Sequence, residues 1–184
     1  CDLQVTGSVV RVVGPEPEAE AGGLGLVFGS RFYHTAIPGL IDGGSLEVTD
    51  SLVNQAHEVG ILLVSGTGSV THSHVVETLP RPGGFFGDGL SALSMLAPGS
   101  LVVRDCLVED NARAGIGSFS AQVTVGSTQL SCNAFALAGQ SPTPSSPFEF
   151  VDEGDNRCAC NDQEEDCKVL TPGLAPPQPP IIDG

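Results

Sequence analysis

A short strand phrase returns along this chain at a nearly constant interval, and it constrains the fold more than any other feature. Each copy places two apolar residues on either side of a variable one, as in Leu46-x-Val48 and Leu101-x-Val103. This alternation sends both apolar side chains to the same face of a strand. The copies begin near Leu3, Leu46, Ser69, Leu101 and Val123, and the third is degenerate. Short strands at a fixed period, with no helical period between them, are typical of a solenoid.

Two further strand segments follow the phrase. One is a pair of apolar residues, such as Leu107-Val108, and the other is an apolar run led by glycine, such as 60–63 or 115–119. No coil contains an amphipathic helical stretch, so we expect equivalent strands to stack in parallel, about 4.8 Å apart. The crossover rule makes the predicted winding right-handed. The sequence therefore predicts an all-β fold: a right-handed parallel β-helix solenoid of about five coils with a Cys-containing C-terminal cap.

One coil carries a resemblance to a known family. It reads Leu101-x-Val103-x-Asp105-Cys106-Leu107-Val108-x-x-Asn111, followed by Ala114-Gly115-Ile116. This pattern resembles the right-handed parallel β-helix repeat that also builds pectate-lyase-like proteins, in particular those secreted or surface-displayed by bacteria. The resemblance covers residues 3–139. It implies the fold and says almost nothing about activity, because enzymes, adhesins and structural stalks share this scaffold.

Two turn positions carry structural predictions. Asn111 and Asn133 follow the second apolar pair at matching places, where stacked asparagines can exchange amide hydrogen bonds and adopt the left-handed αL backbone. Cys106 takes the inward position that Ser8 and Ser51 hold in other coils. We therefore expect Cys106 to be a buried free thiol.

The composition changes where the phrase ends, near residue 139. We predict β-helix repeats over 1–140, an acidic, disulfide-containing cap over 141–170 and a Pro-rich tail over 171–184 that is extended or disordered. A cap is needed because an open edge of parallel strands invites aggregation. The first strand phrase has no coil before it. Upstream coils that this sequence lacks, or a partner, would cover that end, and we favour missing coils.

The charge balance excludes several classes of partner. Twenty-two acidic residues against seven basic ones give a net charge of −15, which opposes binding to nucleic acid or to anionic membranes. No apolar run approaches the ~20 residues of a membrane-spanning helix. Six cysteines favour an extracytoplasmic compartment, where the protein is secreted or on the bacterial surface. Cys1 followed by Asp2 resembles the start of a processed lipoprotein, but the favoured alternative is that Cys1 is an ordinary residue before the first strand.

Three groups of residues are candidates for disulfides or metal ions. Cys158, Cys160 and Cys167, with Cys132, favour disulfides over zinc because no His lies nearby; one pairing joins Cys160 to Cys167 and Cys158 to Cys132, but the sequence does not fix the connectivity. The acidic run near the C-terminus has oxygen ligands that suit Ca²⁺, but its spacing matches no calcium-binding loop. The alternative is a solvated, charged lid. It comprises Asp152, Glu153, Asp155, Asp162, Glu164, Glu165 and Asp166. His72 and His74 would share one face of a strand and suggest a metal pair, for which no third ligand can be named.

Inserted loops are the best candidates for a binding site, because binding residues concentrate on long loops held by a rigid frame. Arg81, Phe85, Phe86 and Asp88 belong to one insertion, Glu18 to a second on the same flank, and Tyr33 to a third. Aromatic rings beside carboxylates suit carbohydrate recognition by stacking and by hydrogen bonds to hydroxyls. The alternative is that the two phenylalanines fold back over the solenoid wall as a small satellite core.

Three functions are compatible with these features. The first is a non-catalytic β-helix module, structural or ligand-binding, whose ligand is a carbohydrate or another surface protein. The second is a polysaccharide lyase or glycoside hydrolase, which the resemblance would supply with a basic residue and acidic Ca²⁺ ligands. Arg104 and Arg113 show no evident carboxylate cluster, the hydrolase motifs Asn-Thr-Asp and Gly-His-Gly are absent, and His74 or Ser73 would separate Asp50 from Asp105. The third is an assembly module that docks through the open first coil.

Overall fold

Strands account for all the regular secondary structure in the described part of the chain. A computed structural model describes residues 2–11, 26–29, 44–81, 84–95, 97–141, 146–161 and 163–177. The strands are β1 (Asp2–Thr6), β2 (Val9–Arg11), β3 (Leu26–Gly29), β4 (Ser45–Thr49), β5 (Leu52–Asn54), β6 (Val59–Val64), β7 (Gly66–Thr71), β8 (His74–Val76), β9 (Asp88–Leu93), β10 (Gly99–Arg104), β11 (Leu107–Glu109), β12 (Ala114–Phe119), β13 (Gln122–Gly126), β14 (Gln129–Ser131), β15 (Phe135–Gln140), β16 (Glu149–Gly154), β17 (Arg157–Cys160), β18 (Gln163–Glu165) and β19 (Val169–Leu170).

These strands form three sheets in which equivalent strands stack. Sheet A has the order β1-β4-β7-β10-β13-β16, sheet B the order β18-β17-β14-β11-β8-β5-β2, and sheet C the order β19-β15-β12-β9-β6-β3. Every neighbouring pair is parallel except β17 and β18. The chain thus visits the three sheets in turn and adds one strand to each, which confirms an all-β architecture of parallel strands compatible with a β-helix-like solenoid.

The repeated phrase sets the register of sheet A. Leu3 pairs with Leu46, and Leu101 pairs with Val123, so the apolar residues of successive phrases lie directly above one another. Leu46, Val48, Leu101 and Val123 are at most 2% exposed and face a single apolar core. The degenerate third copy keeps the register, because Val70 pairs with both Val48 and Val103.

The corner between sheets A and B is made by residues with left-handed backbone. Asp50, His72, Asp105 and Ser127 all have φ near +50° and occupy equivalent places. The backbone N–H of Asp50 donates to the Thr71 carbonyl at 3.2 Å, and that of His72 to the Arg104 carbonyl at 3.2 Å. His72 therefore lies at the corner and only His74 lies in a strand, so the prediction that both share one strand face is wrong. The counterpart of Asp50 and Asp105 is His72, not His74 or Ser73.

An asparagine ladder supports the next corner, between sheets B and C. The Asn111 side-chain amide donates to Asn133 Oδ1 at 2.8 Å, which confirms the predicted exchange of amide hydrogen bonds. The αL residues are instead the preceding ones, Asp110 and Cys132, with φ of 53° and 50°. The ladder needs glycine beside it, because a Cβ added at Gly89 would lie 2.8 Å from Asn111 Nδ2.

Strands beyond residue 139 continue all three sheets. β16 pairs with β13, β17 with β14, and β19 with β15, each in parallel. The predicted count of about five coils is therefore not confirmed, since each sheet has six parallel strands in the described residues, with the antiparallel β18 as a seventh strand of sheet B. The repeat pattern does not extend to this last group of strands, because an acidic residue, Asp152, stands opposite the core residue Val125. The sequence alone therefore did not predict these strands.

Both disulfides involve the last group of strands. They join Cys132 to Cys160 and Cys158 to Cys167, with Cα–Cα distances of 4.6 and 5.3 Å. The four predicted cysteines are thus disulfide-bonded, but the pairing considered from the sequence is wrong. Cys158 lies opposite Leu130 in sheet B and is 3% exposed, so its side chain joins the core. Cys160 is two residues further along the same strand, beside the corner at Cys132.

Candidate functional site

The loop between β8 and β9 holds three of the six predicted ligand-binding residues, Arg81, Phe85 and Phe86, and a fourth, Asp88, begins β9. The described part of the loop is folded against the wall of the sheets. The Arg81 N–H donates to the Phe85 carbonyl at 3.0 Å, and the Gly84 N–H to the Arg81 carbonyl at 2.9 Å. The Gly87 N–H donates to the Glu58 carbonyl at 2.8 Å, which fixes the end of the loop on the neighbouring corner. Gly87 has φ of +112°, and an added Cβ would lie 2.8 Å from Ala112 Cβ, so glycine is required there.

A buried ion pair lies at the base of this loop. Asp88 is fully buried, and one of its carboxylate oxygens accepts hydrogen bonds from Arg113 Nε at 2.7 Å and from the Ala114 N–H at 3.1 Å. The other oxygen accepts from Arg113 Nη2 and from Ser91 Oγ, the latter at 2.8 Å. Such a bidentate, fully bonded pair offsets the cost of burying both charges. The pair therefore stabilises the wall of the sheets, and neither oxygen of Asp88 is free to contact solvent.

A second ion pair and three arginine–aromatic contacts complete the cluster. Arg81 Nη1 lies 3.6 Å from Glu58 Oε1, and Glu58 is 2% exposed. The Arg81 guanidinium also lies 4.7 Å from the Phe86 ring centre and 5.4 Å from that of Phe85, within cation–π range. The Arg113 guanidinium lies 5.0 Å from the centre of the Phe86 ring. The Phe86 ring therefore contacts two arginines.

The predicted site residues thus divide into two kinds. Phe86 and Asp88 are buried and hold the loop in place. Burial of Phe86 is what the satellite-core alternative predicted for it. Phe85, in contrast, is 60% exposed, and Arg81 is partly exposed beside it. Tyr33 and Glu18 lie outside the described residues. No described contact tests whether any of these residues binds a ligand.

Sequence reasoning missed Glu58 and the role of Arg113. Arg113 binds one carboxylate, that of Asp88, and Arg104 binds one, that of Glu153, and the sequence predicted neither pair. The signal for Arg113 was present, because Asp88 opens β9 and Arg113 directly precedes β12, its neighbour in sheet C. The exposed Arg104–Glu153 pair raises the pKa of the arginine and lowers that of the carboxyl, through their hydrogen bonds.

The corner between sheets A and B carries a second group of titratable residues. His72 Nε2 lies 3.8 Å from Asp105 Oδ2, and both side chains are more than half exposed. With His74 and Asp50, His72 lines a shallow surface depression of about 330 Å³. Within the described ranges, no three His, Cys, Asp or Glu side chains are grouped as metal ligands would be.

Protein donors occupy much of the acidic run near the C-terminus. Asp152 Oδ1 accepts from the Gly154 N–H at 2.8 Å and from Asn156 Nδ2 at 2.7 Å, and Glu164 lies 3.1 Å from Arg157. A hydrogen bond from Lys168 lowers the pKa of Asp166. Asp162 lies outside the described residues, and the predicted Ca²⁺ site stays untested.

The only thiol free of a disulfide in the described part of the chain is Cys106. It is 5% exposed, which confirms the prediction of a buried free cysteine. Its Sγ–H donates to the Arg104 carbonyl at 3.1 Å, as the Ser73 hydroxyl donates to the Thr71 carbonyl at 2.8 Å. Burial raises the pKa of the Cys106 thiol to about 11. It is therefore protonated at neutral pH and is a poor nucleophile.

No family model, curated protein or solved structure matches this chain. No helix in the described ranges has the length and apolarity to cross a membrane. Two disulfides are typical of a protein that folds in an oxidising environment.

Proposed function

We propose that this chain is a non-catalytic, right-handed parallel β-helix module of a secreted or cell-surface protein, and that its β8–β9 loop binds carbohydrate. This proposal rests on the contrast between the buried, paired residues at the loop and its one exposed aromatic ring. The buried carboxylates and arginines bind one another, while Phe85 presents an exposed ring beside Arg81. An exposed ring on a fixed loop can stack on the apolar face of a sugar, and an adjacent guanidinium can donate to hydroxyls or to a uronate carboxylate.

The right-handed winding rests on a general rule of chain geometry. A chain that leaves one strand and returns to a parallel neighbour in the same sheet does so with a right-handed crossover in about 98% of cases. Apart from the antiparallel pair β17–β18, successive strands of sheets A, B and C here are related by such returns. Attachment to a membrane through a lipid on Cys1 is part of the proposal for localisation, and Cys1 lies outside the described residues.

A glycan array probed with the full chain tests the binding function. Phe85→Ala should abolish binding to the glycans that the unchanged protein retains, since it removes the stacking surface. Met95→Ala is the matched control, because Met95 is a large apolar residue of similar exposure, 55%, outside this loop. Unchanged binding by Phe85→Ala would eliminate the loop as the binding site.

The same glycans decide between binding and catalysis. Each retained polysaccharide is incubated with the protein, with and without Ca²⁺, and the products are assayed for reducing ends and unsaturated uronates. We expect neither, because Asp88 and Arg113 neutralise each other inside the wall. Accumulation of either product would favour the lyase or hydrolase alternative.

Assembly through the open first group of strands is a second candidate. Leu3 is 38% exposed, whereas Leu46, its counterpart one strand along, is 2% exposed. Val9 is 61% exposed, and its counterpart Leu52 is only partly buried. A partner that covers this end would bury apolar side chains that otherwise contact water. Analytical ultracentrifugation of the full chain and of a Leu3→Gln/Val9→Thr variant tests this. An association that survives both substitutions would exclude this end as the interface.

A further inference from the structure

The outer side of sheet C carries a buried apolar cluster, whereas the outward residues of sheet A, such as Ser45 and Glu47, are exposed. Parallel sheets covered on both sides are apolar on both sides, and β6, β9 and β12 are buried along their whole length. One set of their side chains joins the main core, and another forms a separate cluster. That cluster, which we call the outer cluster, comprises Val59, Leu62, Val64, Leu93 and Phe119.

A segment of the C-terminal tail lies on the outer cluster. After β19, residues 171–177 have no regular secondary structure, and Leu174 packs against the cluster. Pro177 is buried, whereas Thr171 and Pro172 are exposed. We call residues 174–177 the strap and residues 171–173 its connector.

Arg113 links the strap to the buried ion pair. Its Nε and Nη2 are bound by Asp88 underneath, which leaves Nη1 to donate to the Ala175 carbonyl at 2.9 Å. Phe86 and Phe119 flank the guanidinium, at 5.0 and 5.8 Å from their ring centres. The arginine is thus fixed in the wall with one donor directed at the backbone of whatever segment lies there.

These contacts suit an extended proline-containing segment. A polyproline II segment has no internal hydrogen bonds, so its carbonyls are available to an external donor such as Arg113. Aromatic-lined grooves are a recurrent docking site for such segments, which lose little entropy on binding. Leu174 supplies the apolar anchor that gives selectivity.

The strap is attached by a connector that can be rearranged. Only three residues separate Leu170 of β19 from Leu174, and Gly173 has φ of +77°, which marks a turn at that point. All strap contacts are made to the body of the molecule, so a strap from another molecule can make the same contacts. Exchange of an identical element between copies is a low-cost route to a dimer, and it depends on the hinge.

We propose that the outer cluster and Arg113 form a docking site for the strap of a second copy of this chain. In the monomer the site is filled by the chain's own strap, whose effective concentration is high because the connector is short. When the connector prevents this, two chains exchange straps and each completes the other's site. The proposal goes beyond the carbohydrate-binding function and does not depend on it.

Shortening the connector tests the exchange. Deleting Pro172 and Gly173 from the full chain removes up to about 7 Å of reach, so the strap can no longer lie on its own molecule. Light scattering coupled to size exclusion should then give twice the monomer mass. Adding Leu174→Asp to the same deletion should restore the monomer, because it removes the apolar anchor. End-to-end assembly through β1 would be unaffected by Leu174→Asp, so the two interfaces are distinguishable.

A peptide experiment keeps the proposal testable if the shortened chain fails to fold. A fluorescein-labelled peptide of residues 171–180 is titrated with full-length Leu174→Asp, in which the strap is released and the docking site is intact. We expect binding at least about tenfold tighter than to the unchanged chain, whose own strap competes. Leu170→Asp is the matched control: Leu170 is 46% exposed, lies outside the strap and should not increase binding.

Both arms have results that overturn the proposal. A shortened chain that is folded by circular dichroism and stays monomeric contradicts strap exchange. Equal affinity of the peptide for the Leu174→Asp and unchanged proteins, or equal binding of a peptide that itself carries Leu174→Asp, contradicts the docking site.

Discussion

Replacing Asp88 with asparagine should destabilise this fold strongly, because the change removes the counter-charge of a buried guanidinium while preserving its shape. Asp88 is fully buried and the Arg113 side chain is only 12% exposed. Removing one partner of a buried ion pair costs about 3–5 kcal/mol, since the other charge stays desolvated and unpaired. The asparagine amide group would also direct a donor toward a guanidinium that has only donors.

Urea unfolding followed by far-UV circular dichroism, with the disulfides intact, measures this cost. With a slope of about 2 kcal/mol per molar urea, a loss of about 4 kcal/mol moves the midpoint by about 2 M. Glu153→Gln is the matched control, because it breaks an arginine–carboxylate pair of similar geometry that is exposed. Its effect should be far smaller and should shrink further as salt is added.

A double substitution separates the ion pair from the packing around it. Arg113→Met removes the charge that Asp88→Asn leaves unpaired, so the double variant should lose less stability than the two single losses combined. Two results would refute this reasoning. One is an Asp88→Asn midpoint indistinguishable from that of Glu153→Gln, and the other is strict additivity in the double variant.

Three further perturbations test the packing of the stack. Stability should fall as the pH rises from 9 to 11, because the unfolded chain releases the Cys106 proton at a lower pH than the folded protein, whose thiol has a pKa of about 11. The urea midpoint should fall less over this pH range in Cys106→Ser than in the unchanged protein. An equal fall in both proteins would contradict this prediction. Gly139→Ala should cost about 1–3 kcal/mol in the same assay, since its Cβ would lie 2.2 Å from the Phe148 ring, and much less in a Phe148→Ala background. Replacing Cys132 and Cys160 by alanine should cost about 3–4 kcal/mol for a sequence separation of 28, and non-reducing peptide mapping of the unchanged protein should recover these two cysteines linked.

The sequence predicts the repeating strands well because their information is local. The alternation at Leu46-x-Val48 determines which side chains enter the core, and equal spacing brings successive phrases into register. The same logic places Cys106 inside, at a position that serine occupies in other coils. Each of these inferences needs only the residues of one coil and the period.

The features that the sequence did not predict depend on contacts between residues of different coils. Asp88 and Arg113 meet because β9 and β12 are neighbours, although 25 residues separate them along the chain. The disulfide pairing depends on the direction of Cys158 within β17, a strand without the apolar phrase. The same absence concealed the last group of strands, where disulfides replace part of the apolar burial.

Both disulfides lie at one end of the stack, and the described residues of the first three groups of strands form none. In a solenoid each layer is held mainly by the layers beside it, so loss of structure begins at an end. Here one end is covalently locked and the other exposes Leu3 and Val9. The molecule should therefore fray directionally, from β1 inwards, with amide protection against deuterium exchange rising toward the C-terminal layers. Mechanical tension on the chain should unfold the layers in the same order, from β1 toward the disulfide-linked C-terminal layers.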